Sequence, residues 1–374
     1  MNITAAVARE PQGDFSFEEL SLDAPRPDEV LVAIKGVGLC HTDIAARDGV
    51  LPLPHPAVLG HEGSGVVVEV GRDVTKVAPG DHVAISFNSC GSCPSCLNDD
   101  PAYCHQFPAC NYGGARQDGT SPISSADGPV TANFFGQSSF ATHALANERN
   151  VVKVDDDLPL ELVGTLGCGI QTGAGAVMRS MACRPGSSLL VLGAGPVGLA
   201  AVMAGLLHGC ARIVVSEPHE ARRRLALELG ATDALDPAAG DDLASAVREV
   251  LPGGVDYAFD TTGNIAVLEA ALGCLAHRGV LGIVGVPADF SATLSLPIVQ
   301  AMVLGLTVKG ITEGDSRPDQ FIPELLQLYR EGRFPFDRMI ETFPFSRINE
   351  AVEAQHRGDV VKVVLVNDSD EEAA

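Results

Sequence analysis

The chain has 374 residues, of which 46% are hydrophobic, and this length allows two or three domains with cores of their own. Its 25 basic and 48 acidic residues give a net charge of −23, which argues against nucleic acid or a membrane surface as a partner. Ten cysteines indicate metal or thiol chemistry rather than a disulfide framework. The first ten residues form no export signal, so we expect a cytoplasmic protein.

Short β elements dominate residues 1 to about 165. Their β-branched runs lie between glycine, proline and aspartate turns, at Val30–Gly38, Gly65–Val70 and His82–Ser86. Strands and helices alternate from about residue 185 to 310, beginning with the strand Ser188–Leu192 and a helix from about Pro196. This alternation predicts a doubly wound parallel α/β sheet. The apolar stretch Pro185–Ala211 could suggest a membrane span, but its glycines favour a strand, a turn and a buried helix.

Four cysteines are closely spaced as C-x2-C-x2-C-x7-C, at Cys90, Cys93, Cys96 and Cys104. Four thiolates from one short loop can bind Zn²⁺ tetrahedrally, and such a closed site leaves no position for substrate. Disulfides are the first alternative, and a reducing compartment argues against them. Exposed free thiols are the second, and four so close together would be prone to oxidation. The spacing therefore predicts a structural zinc site.

Three other potential ligands stand next to glycine, namely Cys40, His61 and Cys168. Two thiolates and one imidazole would form an open zinc set with a free fourth position. Spacing alone does not join these residues. Taken singly, His61 could equally be a hydrogen-bonded core histidine, and Cys168 a buried apolar thiol.

A glycine-rich motif, Gly193-Ala-Gly195-Pro196-Val197-Gly198, follows a predicted strand and opens a predicted helix. In this context the motif predicts a loop that binds the pyrophosphate of a dinucleotide. Glu217 lies 19 residues beyond Gly198, at the end of the next predicted strand. A carboxylate there would accept a ribose 2′-hydroxyl and repel a 2′-phosphate, which favours NAD over NADP. Arg222 lies on the following helix, either as a surface charge or within reach of the ribose.

Together these motifs resemble the zinc-dependent medium-chain alcohol dehydrogenases over nearly the whole chain. Three short segments are similar to the aryl- or benzyl-alcohol dehydrogenase branch, Gly136–Phe140, Thr312–Ser316 and Gly332–Pro335. The resemblance implies a GroES-like β-rich catalytic domain over residues 1–168 and a Rossmann NAD-binding domain over residues 169–311. It also implies a C-terminal segment, 312–374, that returns to the catalytic domain, and a homodimer or homotetramer.

The resemblance also assigns roles to single residues. Cys40, His61 and Cys168 match the catalytic zinc ligands, and Glu62 matches an acid that can approach the metal. Asp43 matches the carboxylate that orients the histidine ligand, a role that imidazole ligands generally require. Thr42 matches the hydroxyl that hydrogen-bonds the substrate oxygen. Cofactor contacts are implied at the glycine motif and at His41, Thr172, Val197, Glu217, Arg222, Val284, Val286 and Lys362, where His41 and Lys362 are cations near the pyrophosphate.

One position departs from the family pattern. Many relatives carry a histidine three residues after the threonine, where it ends a proton relay to solvent, and this chain has Ala45. The relay from Thr42 is then expected to end in water or in His41.

The activity implied is the reversible oxidation of a primary aromatic or allylic alcohol to its aldehyde, with two zinc ions per chain and NAD. The residues expected to line the substrate pocket are Leu51, Phe134, Phe135, Phe140, Val286 and Thr312. The three phenylalanines are equally compatible with a role in core packing alone. Two rival functions remain open: a dehydrogenase for short-chain alcohols or S-hydroxymethylglutathione, and a zinc-knuckle interaction protein. A zinc-knuckle protein would explain the four-cysteine cluster but would leave the glycine motif unexplained.

Overall fold

The computed structural model describes residues 1–240 and 242–367 of the chain. These residues form two compact units. The first unit contains Met1–Gly169, Arg317–Glu324 and the described residues from Asp337 onward. The second unit contains Ile170–Ser316 and Leu325–Phe336. Among the described helices, none combines the length and the apolar character needed to cross a membrane.

The strands are, in chain order, β1 Asn2–Ala8, β2 Phe15–Leu22, β3 Glu29–Leu39, β4 Ala57–Val58, β5 Gly63–Val70, β6 His82–Ile85, β7 Ile123–Ser125, β8 Gly128–Val130, β9 His143–Asn147, β10 Val151–Val154, β11 Ser188–Leu192, β12 Arg212–Ser216, β13 Asp233–Leu235, β14 Val255–Asp260, β15 Leu275–Ile283, β16 Thr307–Gly310, β17 Ile340–Pro344 and β18 Lys362–Val366. The α-helices are α1 His41–Arg47, α2 Pro94–Leu97, α3 Phe107–Tyr112, α4 Leu160–Val163, α5 Gly169–Gly175, α6 Pro196–Leu207, α7 Glu220–Glu228, α8 Leu243–Val250, α9 Ile265–Cys274, α10 Ile298–Leu304, α11 Pro318–Arg330 and α12 Ile348–Arg357.

The first unit is built on two sheets. One is antiparallel with the order β4-β1-β2-β7-β8. The other has the order β10-β6-β5-β3-β18-β17, and β9 also pairs with β3. The long strand β3 alternates little in burial, because most of its side chains are enclosed on both faces. Antiparallel pairing places the end of β3 beside the start of β5, and the candidate site lies at this point.

The second unit is a parallel six-stranded sheet with the order β13-β12-β11-β14-β15-β16. All five residues of β11 are buried, as expected for the central strand of a sheet covered on both faces. The chain winds outward from β11 in both directions, which creates a topological switch point beside this strand. The predicted α/β class, with a doubly wound parallel sheet and a β-rich unit, is confirmed.

The sequence patterns located most elements of the second unit and missed three. The helix predicted from about Pro196 spans Pro196–Leu207. The short strand β13 and the helices α8 and α10 were not singled out. β13 has only three residues, and α10 shows apolar side chains on its exposed surface, so neither element carries the usual amphipathic pattern.

Candidate active site

Four potential metal ligands of the first unit converge on one point. Cys40 follows β3, His61 and Glu62 lie between β4 and β5, and Cys168 precedes α5. One ligand atom from each residue lies within 4.8 Å of the others. The fold thus brings together positions that are up to 128 residues apart in sequence, which the spacing alone did not join.

A carboxylate fixes the orientation of the histidine. Nδ1 of His61 donates to Oδ1 of Asp43 at 2.8 Å. The Asp43 carboxylate also accepts the backbone N–H groups of Gly60 and Cys40, both at 3.0 Å. His61 is fully buried, and no hydrogen bond from a described residue reaches its Nε2. A buried imidazole that is oriented by a carboxylate and has an unused nitrogen has the arrangement of a metal ligand.

The two thiols complete a donor set of the kind that catalytic zinc uses. The pKa of Cys40 lies well below its ordinary value, because Cys168 hydrogen-bonds to it and because the imidazole of His61 lies close. This shift favours the thiolate, which is the form that binds metal. Both cysteines keep part of their surface exposed. Two thiolates and one imidazole leave a fourth tetrahedral position for an exchangeable ligand, so the donor set fits a catalytic Zn²⁺.

The side chain of Lys362 enters this site from β18. It is 1% exposed, its Nζ forms an ion pair with Glu62, and it donates to the carbonyl of Leu39 at 3.1 Å. Burial alone would lower the pKa of Lys362, but the negative charges of Glu62 and Cys40 raise it above its ordinary value. The ammonium neutralises a buried carboxylate beside the metal ligands. A contact of Lys362 with the cofactor pyrophosphate, which the family resemblance implies, stays a prediction.

The four clustered cysteines form a second ligand set. Three Sγ–Sγ separations are 3.9 Å for Cys90–Cys96, 3.5 Å for Cys93–Cys96 and 4.0 Å for Cys93–Cys104. Zn–S bonds of about 2.3 Å in a tetrahedron imply sulfur separations of about 3.8 Å, so these distances fit zinc. Backbone N–H groups, including those of Ser92 and Cys93, lower the pKa of Cys90 to about 6, whereas burial raises the pKa of Cys96 to about 12. The cluster therefore fits a closed structural zinc site.

The three phenylalanines expected in the substrate pocket are almost wholly buried, at 1% for Phe134, 2% for Phe135 and 0% for Phe140. The ring of Phe135 stacks on His61 with centroids 4.3 Å apart, and Phe134 meets the same imidazole edge-on at 5.6 Å. Phe140 packs edge-on against Phe15. As placed, these rings belong to the core, and two of them border the metal ligands. Leu51 packs against the same core and keeps part of its surface exposed.

The loop between β11 and α6 has the form of a phosphate cradle. Gly193 has φ +93°, a conformation that favours glycine. A Cβ on Gly198 would lie 1.9 Å from the carbonyl oxygen of Gly193, so only glycine allows α6 to approach the strand this closely. At Gly195, beyond the adjacent residues, no described atom lies within 4 Å of the position of a Cβ, and Pro196 opens the helix. A helix N-terminus beside this open backbone fits a dinucleotide pyrophosphate.

Glu217 lies directly after β12 and is 3% exposed. Its Oε2 accepts the backbone N–H of Ala194 at 2.7 Å, and its Oε1 accepts that of His219 at 2.9 Å. Burial alone would raise the pKa of Glu217, but these donors outweigh it and lower the pKa. The carboxylate is therefore ionised beside the glycine loop, where it can accept a ribose hydroxyl and repel a 2′-phosphate.

The other predicted contact residues differ in exposure. Thr172 is buried, and its hydroxyl donates to Glu313 at 3.4 Å. Val286 is 68% exposed, and His41 is also exposed. Intermediate exposure is shared by Thr42, Val197, Arg222, Val284 and Thr312.

Gln137 is a buried residue of this region that the sequence did not single out. Its Nε2 donates to the carbonyl groups of His61 at 2.9 Å and Ser86 at 3.3 Å. Its Oε1 accepts the N–H of Gly63 at 3.0 Å and the hydroxyl of Ser139 at 2.7 Å. The amide thus holds the backbone on both sides of the His61–Glu62 dipeptide. A polar residue within the aromatic segment Phe134–Phe140 is the signal that could have revealed it.

Two family models match the chain. "Alcohol dehydrogenase GroES-like domain" matches residues 26–156, and "Zinc-binding dehydrogenase" matches residues 196–331. The first range contains Cys40, His61 and the four-cysteine cluster, and the second begins at Pro196, at the start of α6. The chain belongs to the zinc-dependent medium-chain alcohol dehydrogenases.

Relatives within this family extend over nearly the whole chain. The chain is 49% identical to the geraniol dehydrogenase of Castellaniella defragrans over 97% of both sequences. It is 34% identical to an alcohol dehydrogenase class-3 of Myxine glutinosa over 96% of both. Among solved structures it is similar to the benzyl alcohol dehydrogenase of Acinetobacter calcoaceticus, with a TM-score of 0.95, 40% identity, and coverage of 98% of this chain and 99% of the other.

Proposed function

We propose that the chain catalyses the NAD-dependent, reversible oxidation of a primary aromatic or allylic alcohol to its aldehyde. The observation that carries the proposal is the convergence of Cys40, His61 and Cys168 into an open ligand set, with the hydroxyl of Thr42 3.7 Å from Sγ of Cys40. The relatives named geraniol dehydrogenase and benzyl alcohol dehydrogenase support the substrate class. Geraniol is allylic and benzyl alcohol is aromatic, and in both the carbinol carbon is attached to a π system.

Residues of the first unit have separate roles at the hydroxyl group of the bound alcohol. A zinc ion held by Cys40, His61 and Cys168 supplies a Lewis acid that lowers the pKa of an alcohol. Asp43 keeps His61 oriented, and the hydroxyl of Thr42 is placed to accept the proton of the alcohol. Ala45 cannot pass this proton on, so the route continues to water or to the exposed imidazole of His41.

The second unit supplies the cofactor site of the proposal. NAD supplies the hydride acceptor when it is bound. The open backbone at Gly195 and the N-terminus of α6 would hold its pyrophosphate, and the ionised Glu217 would hold the adenosine ribose. Thr172, Val197, Arg222, Val284, Val286 and Thr312 are proposed as further contacts of the bound cofactor or substrate.

A substrate panel tests this proposal. With NAD, kcat/KM for benzyl alcohol, cinnamyl alcohol and geraniol should exceed that for ethanol by roughly 100-fold or more, because each buried CH₂ contributes about 0.8 kcal/mol. The measurement is the initial rate of NADH formation. A higher kcat/KM for ethanol or S-hydroxymethylglutathione would overturn the substrate class, and faster reaction with NADP would overturn the cofactor.

An apolar surface of the second unit supports a homo-oligomer. β16 is an edge strand of the parallel sheet. Close to it in sequence, α10 exposes four large apolar side chains by 66% or more, Ile298, Val299, Met302 and Val303. An edge strand beside exposed apolar residues is a surface for self-association, so we propose that a second copy of this chain covers it.

Sedimentation velocity tests this surface. The wild-type protein should sediment as a dimer or tetramer, and Met302→Glu should shift it toward single chains, because a charge would have to be buried at the interface. Leu97→Glu is a control at an equally exposed apolar residue of the first unit. A monomeric wild type, or equal dissociation by both variants, would contradict the proposal.

A further inference from the structure

The turn after β12 carries two interlocked polar contacts that no sequence motif indicated. In the first, the side chain of His219 donates through Nδ1 to Oε1 of Glu217 at 2.7 Å, in addition to the backbone bond. Glu217 is almost wholly buried, whereas the side chain of His219 is 51% exposed. The imidazole therefore lies on the solvent side of the carboxylate and fixes its outer oxygen.

The hydrogen-bonding capacity of Glu217 is nearly filled. An ionised carboxylate offers about four acceptor positions. Three of them are taken by the N–H of Ala194 and by the backbone and the ring of His219. About one acceptor position remains, which suits one ribose hydroxyl. The carboxylate cannot rotate away without breaking its hydrogen bonds to His219.

The second contact restrains an arginine on the same turn. Arg223 donates through NH1 to the carbonyl groups of Glu217 and Pro218, both at 2.7 Å. Its NH2 forms an ion pair with Asp236 at 2.9 Å. Asp236 directly follows β13, so this pair lies at the carboxyl ends of the strands, on the side where dinucleotides bind in such sheets. The guanidinium of Arg223 is thus already engaged by two backbone carbonyls and one carboxylate.

We propose that His219 and Asp236 are specificity-determining residues for the cofactor. His219 holds the charge of Glu217 in place against a 2′-phosphate, and Asp236 keeps Arg223 from binding one. Discrimination against NADP then depends on both contacts and not on the acidic residue alone. This inference rests on the proposed use of NAD at the same site.

The test is the affinity of the zinc-loaded protein for NADH and NADPH, measured by fluorescence titration. Asp236→Asn should strengthen NADPH binding roughly 10-fold, since the guanidinium of Arg223, no longer paired with a carboxylate, gains a charge-assisted bond to phosphate. The affinity for NADH should change by less than about twofold. His219→Ala should lower the preference for NADH over NADPH roughly fivefold, which corresponds to the free energy of one hydrogen bond. His219→Asn, which keeps a side-chain N–H, should restore the preference.

A second arginine–aspartate pair in the same sheet provides a matched control. Arg212 and Asp233 are joined at 2.6 Å, at the amino ends of β12 and β13. Asp233→Asn should change neither affinity. The inference is overturned if Asp236→Asn and Asp233→Asn change the affinity for NADPH by the same factor. It is also overturned if His219→Ala weakens the binding of NADH and NADPH equally. If the wild-type protein itself prefers NADPH, the proposed use of NAD fails instead, and the two failures are distinguishable.

Discussion

Replacing Cys168 with alanine is expected to lower the zinc content from two ions per chain to one and to reduce kcat with benzyl alcohol roughly 10³-fold or more. The two ligand sets are separate, so the four-cysteine cluster should keep its ion. The loss of rate follows because a Lewis acid contributes several kcal/mol to stabilising the transition state, and each 1.36 kcal/mol is tenfold in rate. Elemental analysis and initial rates on the same sample measure both effects.

Cys274→Ala is the matched control for this variant. Cys274 is a fully buried thiol of α9 that belongs to neither ligand set. It should retain two zinc ions and a rate close to that of the wild type. A Cys168→Ala protein that keeps two ions and full activity would show that Cys40, His61 and Cys168 are not the catalytic ligands.

Replacing Lys362 with methionine is expected to lower the free energy of unfolding by about 3–5 kcal/mol, because the carboxylate of Glu62 would remain buried without its partner. Both side chains are at most 2% exposed, so water cannot replace the ammonium. The double variant Glu62→Gln, Lys362→Met should recover most of this loss, since it removes both charges. Urea unfolding of the zinc-loaded proteins measures the difference.

An ion pair on the surface is the control for this change in the free energy of unfolding. Lys153 pairs with Asp81 at 2.7 Å, and its side chain is 58% exposed. Lys153→Met should therefore change the free energy of unfolding by less than about 1 kcal/mol. An equally small change for Lys362→Met would contradict a buried ion pair at the metal site.

The sequence predicted those parts of the fold whose signal is local. The glycine motif, the flanking strand and the helix from Pro196 are continuous in sequence, and the four cysteines lie within 15 residues of one another. Their geometry follows from short-range spacing, because neighbouring residues fix the turn and the ligand separations. The convergence of Cys40, His61 and Cys168 was implied only by family resemblance, since the β3–β5 pairing that brings Cys40 to His61 and the approach of Cys168 are both long-range contacts.

Long-range contacts explain what the sequence could not show. Lys362 pairs with Glu62 across 300 positions of the chain, a buried contact that no local pattern of the sequence indicates. Composition does not tell whether an aromatic ring lines a channel or fills a core, and burial assigns Phe140 to the core. Asp236 can form its ion pair with Arg223 only because β13 pairs with β12.

The most direct test of the proposed function is to follow deuterium during oxidation of benzyl alcohol that carries two deuterium atoms on the carbinol carbon. One deuterium should be transferred to the reduced nicotinamide of the cofactor, and the other should remain in the aldehyde. Loss of deuterium to water, or aldehyde formation without reduction of NAD, would contradict hydride transfer to NAD.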